Sequence, residues 1–359
     1  MNGEPNNEIK KPESRTRRIL GYALKFGVPL VITVLLCRSL FTDVKPAEMW
    51  HIIVTQCDFG WILLALGISI FSHVFRAMRW RLQLQALGVD VPLFKLVLSI
   101  FGTYAINLVL PRLGEIWRSG YVARESGAKF PTIFGSMVAD RLADTFTVLV
   151  LTVVTFLIAT TQMSKYLSDT GTVAAVLDFL QSPWLWTAIV VCCALFWWFM
   201  VWKTDIGFVN RVQGFVRGIW QGFAAMAQVR RKWLWLLLTL CIWGCYFSQL
   251  YVAFFAFPFT TDTVARFGIL AVLVTFVLSS LSMGVPSNGG LGPWQWSVVL
   301  ALCGFYGMGR PDAITFANTV MGMQTLLLIV LGIFTFVCIS MSSKKVAANP
   351  MVSASEHNM

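Results

Sequence analysis

Charged and histidine side chains are scarce in this sequence. Only 13% of the residues are charged and three are histidines, whereas 57% are hydrophobic and 14% are aromatic. A water-exposed domain must be polar on at least one face, so this composition excludes an ordinary soluble protein. It predicts an all-α, polytopic transmembrane helix bundle, and the small number of long polar stretches leaves little room for a separate catalytic domain.

The residue patterns that hold common cofactors are also missing. The eight cysteines form no CxxC pair, and neither His51 nor His73 has a second metal ligand at position i+3 or i+4. The glycine-rich stretch after Val285 lacks the lysine of a P-loop and does not follow a strand. We therefore predict no metal, no cofactor and no set of catalytic residues.

The formal net charge of +11 comes from lysines and arginines that cluster at the ends of apolar segments. That placement follows the positive-inside rule and argues against nucleic-acid binding. Arg76, Arg79, Arg81 and the basic segment 203–232 should then be cytoplasmic. We predict a multi-pass protein of the cell (inner) membrane with both termini in the cytoplasm.

Seven apolar runs reach the roughly 20 residues that a transmembrane helix needs. Two further runs, 93–110 and 294–306, are short, so we predict seven to nine membrane segments. The seven long runs cover residues 19–41, 59–78, 132–160, 184–202, 233–258, 267–285 and 313–340.

Two apolar stretches end in a proline followed by a polar cluster that contains glycine. Alternation of the charged loops makes 93–131 a re-entrant hairpin, whereas 267–306 is either a second hairpin or two full crossings. Backbone at bilayer depth leaves the helical form only where protein or a watery cavity satisfies it. If both hairpins exist, they enter from opposite faces as inverted repeats, and their tips meet near the midplane.

The expected domain organisation is simple. Residues 1–15 form a cytoplasmic polar tail, 16–340 a single transmembrane domain, and 341–359 a polar C-terminal tail. Within the domain, 203–232 carries apolar residues at helical spacing among basic ones. It is either an amphipathic helix at the cytoplasmic face or a connector packed on the bundle.

Asp140, Arg141 and Asp144 form the strongest charge cluster inside an apolar run. Each such charge costs about 2.5–3.5 kcal/mol on insertion scales, so these side chains should face a cavity or partners. The aspartates share a helix face, and Arg141 is rotated by about 100°. Either Arg141 binds an anionic headgroup while the aspartates orient basic residues, or the cluster is a structural ion-pair network.

Arg112, Glu115 and Arg118 follow the helix-ending Pro111. A guanidinium suits a lipid phosphate bidentately, which makes Arg112, Arg118 and Arg141 candidate headgroup ligands. Glu115 is positioned to pair with Arg118 or with Arg141. The alternative is that the arginines extend to ordinary lipid headgroups at the interface.

Both breaks are expected to line the substrate groove. The second break offers backbone N–H groups ahead of a helix, an arrangement that can hold an anion, although a plain tight turn explains it equally well. The groove residues predicted from the two breaks are Pro111, Gly114, Pro286, Asn288, Gly289, Gly290, Gly292 and Gln295.

These motifs resemble the lysylphosphatidylglycerol synthase transmembrane region, also called the flippase-like or UPF0104 family. The resemblance spans about residues 60–340. It implies a relationship to the lipid-translocating half of the multiple peptide resistance proteins and to archaeal proteins linked to dolichol-phosphate sugar transfer. The matching segments are Arg76 to Trp80, Pro111 to Glu115 with Arg118, Asp140 to Asp144, and Pro286 to Gly292.

The sequence departs from the family pattern at two positions. Asp140 replaces a usual glutamate, and Gln295 replaces the glutamate that usually follows the glycine turn, which removes a charge there. Aminoacylating relatives carry a soluble catalytic domain after the membrane part, whereas this chain stops soon after Lys345. We therefore do not expect it to synthesise an aminoacylated lipid alone.

The leading hypothesis is a translocase that moves an anionic phospholipid or a polyprenyl-phosphate-linked lipid between leaflets. Its expected partners are an anionic membrane lipid and, secondarily, a lipid-modifying enzyme, with no nucleic acid. One rival is a glycosyltransferase that uses a lipid-phosphate sugar donor, with Glu115 or Asp140 as general base. The other is a scaffold or regulator that does not transport and docks through 203–232.

Overall fold

The computed structural model describes residues 46–159, 207–285 and 287–348, together with a few positions between 183 and 198. Most of the described residues are helical, with short 3-10 turns after Ala224 and Ala253 and no strand among them. The predicted all-α class is therefore confirmed. In chain order the helices are α1 Pro46–Gln56, α2 Phe59–Ala86, α3 Leu93–Val109, α4 Leu113–Ser126, α5 Phe130–Ile158, α6 Gly207–Ala224, α7 Lys232–Ala253, α8 Pro258–Phe267, α9 Ile269–Ser282, α10 Pro293–Tyr306 and α11 Arg310–Ala348.

Local sequence signals fix several helix starts. The Asp58 carboxylate accepts a hydrogen bond from the Gly60 N–H at 2.8 Å and caps α2. Pro131 in α5 and Pro258 in α8 lie in the first turn, where the N–H that proline lacks would have no helical partner. Since the apolar runs between these signals are long, the predicted spans and the observed helices agree closely.

Four of the described helices are long and apolar enough to cross a membrane: α2, α5, α7 and α11. The bent pair α8 and α9 adds a fifth if it is counted as one span. The predicted run 19–41 and most of 184–202 lie outside the described residues, so the predicted total of seven to nine stays a prediction. Helix α11 continues to Ala348, past the predicted domain end at 340.

The described region contains two helical hairpins. In the first hairpin, residues 93–126, α3 packs on α4, and in the second hairpin, residues 269–306, α9 packs on α10. Helix α3 has 17 residues and is about 25 Å long, and the 14 residues of α9 or α10 span about 21 Å. Both lengths fall short of a hydrocarbon core of about 30 Å, which favours re-entrant hairpins over two full crossings for 269–306.

One predicted segment is divided. The apolar run 267–285 begins with a break, because Gly268 has a φ of 68° and turns the chain by 110° between α8 and α9. A left-handed φ of this kind favours glycine. Helix α8 therefore approaches the second hairpin at a steep angle rather than continuing into it.

Two large apolar clusters form most of the core of the described residues, and a small third cluster holds Ala159 and Val274. One joins the N-terminal half of α2 to α7, α9, α10 and α11. The other joins the C-terminal half of α2 to α3, α4 and α5. Helix α2 is common to both clusters, so it fixes the first hairpin relative to the helices that carry the second.

Helix α6, within the predicted amphipathic segment, packs against the start of α5. Added Cβ atoms at Gly222 and Gly135 would overlap the carbonyl oxygens of Thr132 and Ile219, respectively. Backbones approach this closely only where small residues meet. Helix α6 therefore lies directly against α5 through this face, while Trp220 on the helix stays exposed. The two alternatives for 203–232 stay predictions.

Candidate functional site

Helices α2 and α5 are joined by a buried ion-pair network. Arg76 Nη1 lies 2.6 Å from Asp144 Oδ2 and 3.5 Å from Asp140 Oδ2. Arg79 Nη2 lies 2.7 Å from both Asp140 Oδ1 and Asp144 Oδ1. The arginines are three residues apart and the aspartates four, so each pair presents one helix face to the other.

Further donors and acceptors complete this network. Arg76 also donates to the Tyr246 hydroxyl at 3.0 Å, and Arg79 donates to Thr239 Oγ1 at 3.3 Å. The guanidinium of Arg79 and the carboxylate of Asp140 are fully buried. Removing one partner from such a network typically costs about 3–5 kcal/mol, because the other charge is left buried and uncompensated.

The network corrects one step of the topology argument. Arg76 and Arg79 are buried and neutralised by aspartates, so they do not belong among the free loop charges on which the positive-inside rule depends. Arg81 does lie near the surface and donates to Asp90 at 3.1 Å. That hydrogen bond holds the pKa of the Asp90 carboxyl in the α2–α3 loop below its usual range.

A second chain of polar contacts links α5 to the first hairpin. Arg141 Nη2 donates to Glu115 Oε1 at 3.1 Å, and Asn107 Nδ2 donates to Glu115 Oε2 at 3.1 Å. Asn107 Oδ1 accepts from the Gly114 N–H at 2.9 Å, which closes the turn between α3 and α4. Of the two pairings open to Glu115, the structure has the one with Arg141.

Gly114 is required by the close packing of this hairpin. A Cβ on Gly114 would overlap the backbone carbonyl oxygen of Thr103 on α3. Pro111 precedes it in the turn, where α3 has already ended. Both residues therefore shape the hairpin tip.

Arg118 on α4 is fully buried, and none of its three guanidinium nitrogens has a hydrogen-bond partner among the described residues. Its guanidinium carbon lies 4.3 Å from the centre of the Trp80 ring, a cation–π contact. Glu115 and Arg141, among other charged groups of the cluster, act on it electrostatically. A buried cation without a hydrogen-bonded anion is expensive, so its presence points to a function.

These groups define the arginine cluster: Arg76, Arg79, Arg118 and Arg141 with Glu115, Asp140 and Asp144. Four guanidiniums face three carboxylates, so the cluster carries one more positive charge than negative. Arg141 and Glu115 are its most accessible members, with 32% and 19% of their side chains exposed. An anion that enters the cluster would meet this pair first.

The tips of the two hairpins touch each other. Arg112 donates to the Gly284 carbonyl at 3.2 Å, and Asn288 donates to the Val109 carbonyl at 3.5 Å. Gly289 lies so close to Leu108 that an added Cβ would need that side chain to move. The tip-to-tip contact predicted from the two breaks is therefore present.

The second tip is a glycine turn whose backbone is partly occupied. Gly289, Gly290 and Gly292 have φ values between 61° and 90°. The Gln295 side chain accepts from the Gly292 N–H at 2.7 Å and donates to Asn318 on α11 at 2.8 Å. Gln295 thus caps α10 and joins it to α11, so the Gly292 N–H is not free to hold an anion. Pro286 lies outside the described residues.

An apolar cavity of about 750 Å³ opens beside the tips. Helix α3 contributes Ala105, Leu108 and Val109, the second tip contributes Leu291, and α11 contributes the rest of the wall. Tyr104 and Asn107 lie on another face of α3, where Tyr104 stacks on His73 and Asn107 contacts Glu115. The apolar cavity and the arginine cluster therefore lie along neighbouring faces of α3, and the two approach each other at its C-terminal end.

Sequence reasoning missed some partners in this site. It did not pair Arg76 and Arg79 with the aspartates, and it did not identify Trp80, Asn107 or Tyr246. A signal was present for the first two, because arginines at i,i+3 on one apolar helix match aspartates at i,i+4 on another. Tyr246 carries no such signal, since nothing in its own helix distinguishes it from a core residue.

Comparison with known proteins identifies the family of this chain. The family model for the lysylphosphatidylglycerol synthase TM region matches residues 23–332, so the match begins earlier than the expected residue 60. A UPF0104 membrane protein of Pyrococcus horikoshii is 25% identical over 145 residues, which are 39% of this chain and 41% of that protein. A UPF0104 membrane protein of Methanothermobacter thermautotrophicus is 23% identical over 206 residues, 55% of this chain and 56% of that protein.

The chain spans about half the length of these curated relatives or less. The family match, in contrast, covers most of the sequence and includes both hairpins and the whole arginine cluster. The predicted resemblance is thereby confirmed. The protein is an integral membrane protein that belongs to the lysylphosphatidylglycerol synthase TM region family.

Proposed function

We propose that this protein is a lipid translocase that moves an anionic lipid between the two leaflets. The observation that carries the proposal is the unpaired positive charge of the arginine cluster, centred on the buried guanidinium of Arg118. An ionised group inside hydrocarbon costs many kcal/mol without a partner of opposite charge. A lipid phosphate would supply that partner, and the cluster would in turn shield the phosphate from the bilayer interior.

The headgroup would reach the cluster through the Arg141–Glu115 pair. Arg141 is the accessible arginine, and its guanidinium can exchange the carboxylate of Glu115 for phosphate oxygens without loss of hydrogen bonds. Arg112 at the tip is exposed and offers the next guanidinium along the hairpin. The three arginines predicted as headgroup ligands thus come from the hairpin turn, from α4 and from α5.

The hydrocarbon chains of the lipid would stay in the apolar cavity, along the face of α3 that carries Ala105 and Leu108. The apolar cavity beside Leu108 and Leu291 faces α11, whose cavity-lining residues Ile329 and Ile333 are exposed as on a lipid-facing helix. Because cavity and cluster approach each other at the hairpin tips, a lipid could keep its chains in the cavity while its headgroup contacts the arginines. In this arrangement the hydrocarbon chains of the lipid lie among apolar side chains and away from the charged groups of the cluster.

The enzyme alternative has less support from the geometry. Glu115 is bound by Arg141 and Asn107, and both oxygens of Asp140 are within reach of Arg76 and Arg79. A general base needs a free oxygen directed at the proton it removes. In this arrangement the carboxylates instead neutralise the arginines.

The proposal is tested by reconstitution. Purified protein in liposomes that contain a fluorescent anionic phospholipid should make the label on the inner leaflet accessible to a membrane-impermeant quencher. Arg141→Ala should slow this movement about tenfold or more, since a charge-assisted pair is worth about 1.5–3 kcal/mol. Arg124→Ala on α4 is the control, because Arg124 is largely exposed and pairs weakly at 3.8 Å with Glu125.

Folding of each variant is checked by thermal unfolding in detergent. Unchanged lipid movement in a folded Arg141→Ala variant would contradict the proposed headgroup site. Absence of movement in the wild-type protein with every anionic lipid would contradict the translocase itself.

A further inference from the structure

We infer that the arginine cluster selects phosphodiester headgroups, which carry a single negative charge, over phosphate monoesters. The inference depends on the proposed function and narrows its substrate class. It follows from the charge count of the cluster and from the burial of the groups that make it up.

Every carboxylate of the cluster is paired with at least one arginine. Asp140 and Asp144 are each held by two arginines, and Glu115 is held by Arg141 and Asn107. The charged and titratable groups that face it come from every helix packed around it. They are His73, Arg76 and Arg79 on α2, Tyr104 on α3, Glu115 and Arg118 on α4, Asp140, Arg141 and Asp144 on α5, and Tyr246 on α7.

One excess positive charge is neutralised by one negative charge. A phosphodiester supplies that single charge at every pH near neutrality. A phosphate monoester carries about −1.5 to −2 at pH 7, because its second pKa is about 6. The doubly charged form would leave the buried cluster with a net negative charge, and an uncompensated charge in a dry site is costly.

The shape of the site agrees with the charge count. Arg118 is enclosed, and Arg141 is the member that reaches the surface. A diester has two free oxygens, which one guanidinium fork can bind side by side. Two kinds of lipid have this chemistry, a glycerophospholipid such as phosphatidylglycerol and a polyprenyl-phosphate sugar.

The experiment compares diesters with monoesters in the same liposomes. Phosphatidylglycerol and a polyprenyl-phosphate sugar represent the diesters, and phosphatidic acid and a polyprenyl phosphate represent the monoesters. At about pH 7.5 we expect each diester to move about tenfold faster than the monoester with the same chains. If only one of the diesters moves, the preference stands and the active diester identifies the source of the headgroup.

Lowering the pH tests the same preference with the same protein and lipids. At about pH 5 the monoesters lose one charge, so their movement should rise to within about twofold of the diesters. The diesters keep their charge over this range and control for titration of the protein itself. A monoester rate that does not rise relative to the diester rate would overturn the inference.

Removing a negative charge from the arginine cluster should shift the preference toward phosphate monoesters. Glu115→Gln keeps the shape of the side chain but raises the excess to two positive charges. At about pH 7.5 the monoester-to-diester ratio should then rise about tenfold. Glu125→Gln is the control, since Glu125 lies on the same helix and pairs with Lys95 away from the cluster.

The failures of the two proposals are distinguishable. Equal movement of monoesters and diesters at about pH 7.5 overturns the inference but leaves the translocase intact. Absence of movement for all four lipids overturns both. Because the pH comparison uses the wild-type protein, it remains decisive even if Glu115→Gln does not fold.

Discussion

At the scale of single residues, the protein contains two kinds of buried arginine. Arg79 has two aspartates and a threonine around its guanidinium, whereas Arg118 has the face of an indole ring and no hydrogen-bond partner among the described residues. The first kind stabilises the fold once both partners are in place. The second kind lowers the stability of the fold, and the proposed lipid phosphate would be its partner of opposite charge.

This contrast predicts opposite effects of the same substitution. Arg118→Met should leave the free energy of unfolding unchanged or raise it by about 1 kcal/mol, because an unpaired buried charge is replaced by an apolar chain that still packs on Trp80. Arg79→Met should lower it by about 3–5 kcal/mol, because two aspartates lose a partner. Thermal or denaturant unfolding in detergent measures both.

Lipid movement by the Arg118→Met variant should be measured beside its stability. Arg118→Met should fold well and yet lose most of the lipid movement. A strongly destabilised Arg118→Met variant would show that this arginine is structural and has a partner that our interpretation omits. Full transport in a stable variant would remove Arg118 from the headgroup site.

At the scale of secondary-structure elements, the tip of the first hairpin stores backbone strain. Arg112 has a φ of 63°, and no other non-glycine residue in the described ranges has a positive φ. A left-handed conformation costs a residue with a Cβ about 1–2 kcal/mol. The hydrogen bond from Arg112 to the Gly284 carbonyl of the second tip offsets part of this cost.

The strain predicts a difference between two small substitutions. Both Arg112→Gly and Arg112→Ala remove the guanidinium, but only glycine adopts a positive φ without penalty. Arg112→Gly should therefore be more stable than Arg112→Ala by about 1 kcal/mol in unfolding measurements. Equal stability of the two variants would mean that the tip relaxes out of the left-handed conformation.

The contact between α6 and α5 is a second element-scale feature. Gly222 lies against the backbone of α5, whereas Gly214 on the same helix has no atom within 4 Å of an added Cβ. The two positions therefore form a matched pair. They separate the effect of helix propensity from the effect of packing.

We expect Gly222→Ala to lower the free energy of unfolding by about 1–3 kcal/mol, because α6 must move away from Thr132. Gly214→Ala should raise it by up to about 1 kcal/mol, since alanine favours the helix and meets nothing. If both substitutions stabilise the protein, α6 does not pack on α5 through this face.

At the scale of the whole molecule, α2 connects two apolar clusters and two hairpins. Its C-terminal half carries the arginines that bind α5, and its N-terminal half packs with α7 and α11. The hairpins belong to different clusters and touch each other at their tips. The proposed lipid path runs along this contact, where neither hairpin spans the full membrane.

Much of the helical pattern could be read from the sequence. The run predicted at 132–160 corresponds to α5, Phe130–Ile158, and the run at 313–340 lies within α11, Arg310–Ala348. The agreement follows because about twenty consecutive apolar residues in a bilayer satisfy their backbone hydrogen bonds only as a helix. The break at Gly268 was missed, because its apolar neighbours hide it. A single glycine inside such a run gives no sign of a 110° turn.

The candidate site was predicted in its residues but not in its pairings. Glu115 pairs with Arg141, one of the two partners that the sequence left open. The partners of Asp140 and Asp144 are Arg76 and Arg79, which the charge rule had placed on the cytoplasmic side. Gln295, expected in the groove, instead caps a helix and reaches Asn318. Hydrophobic periodicity assigns a residue to a helix face but does not say which helix lies opposite.

The sequence by itself determined that this protein lies in a membrane, that it is helical, and that its chain breaks near Pro111 and after Val285, because these depend on composition and on local backbone chemistry. Only the tertiary structure decided which charges neutralise one another and that Arg118 has no hydrogen-bonded partner in the described part of the chain. The physical reason is that an ion pair depends on distances of a few ångströms between helices far apart in sequence. Those distances are set by packing, and packing depends on all the helices at once.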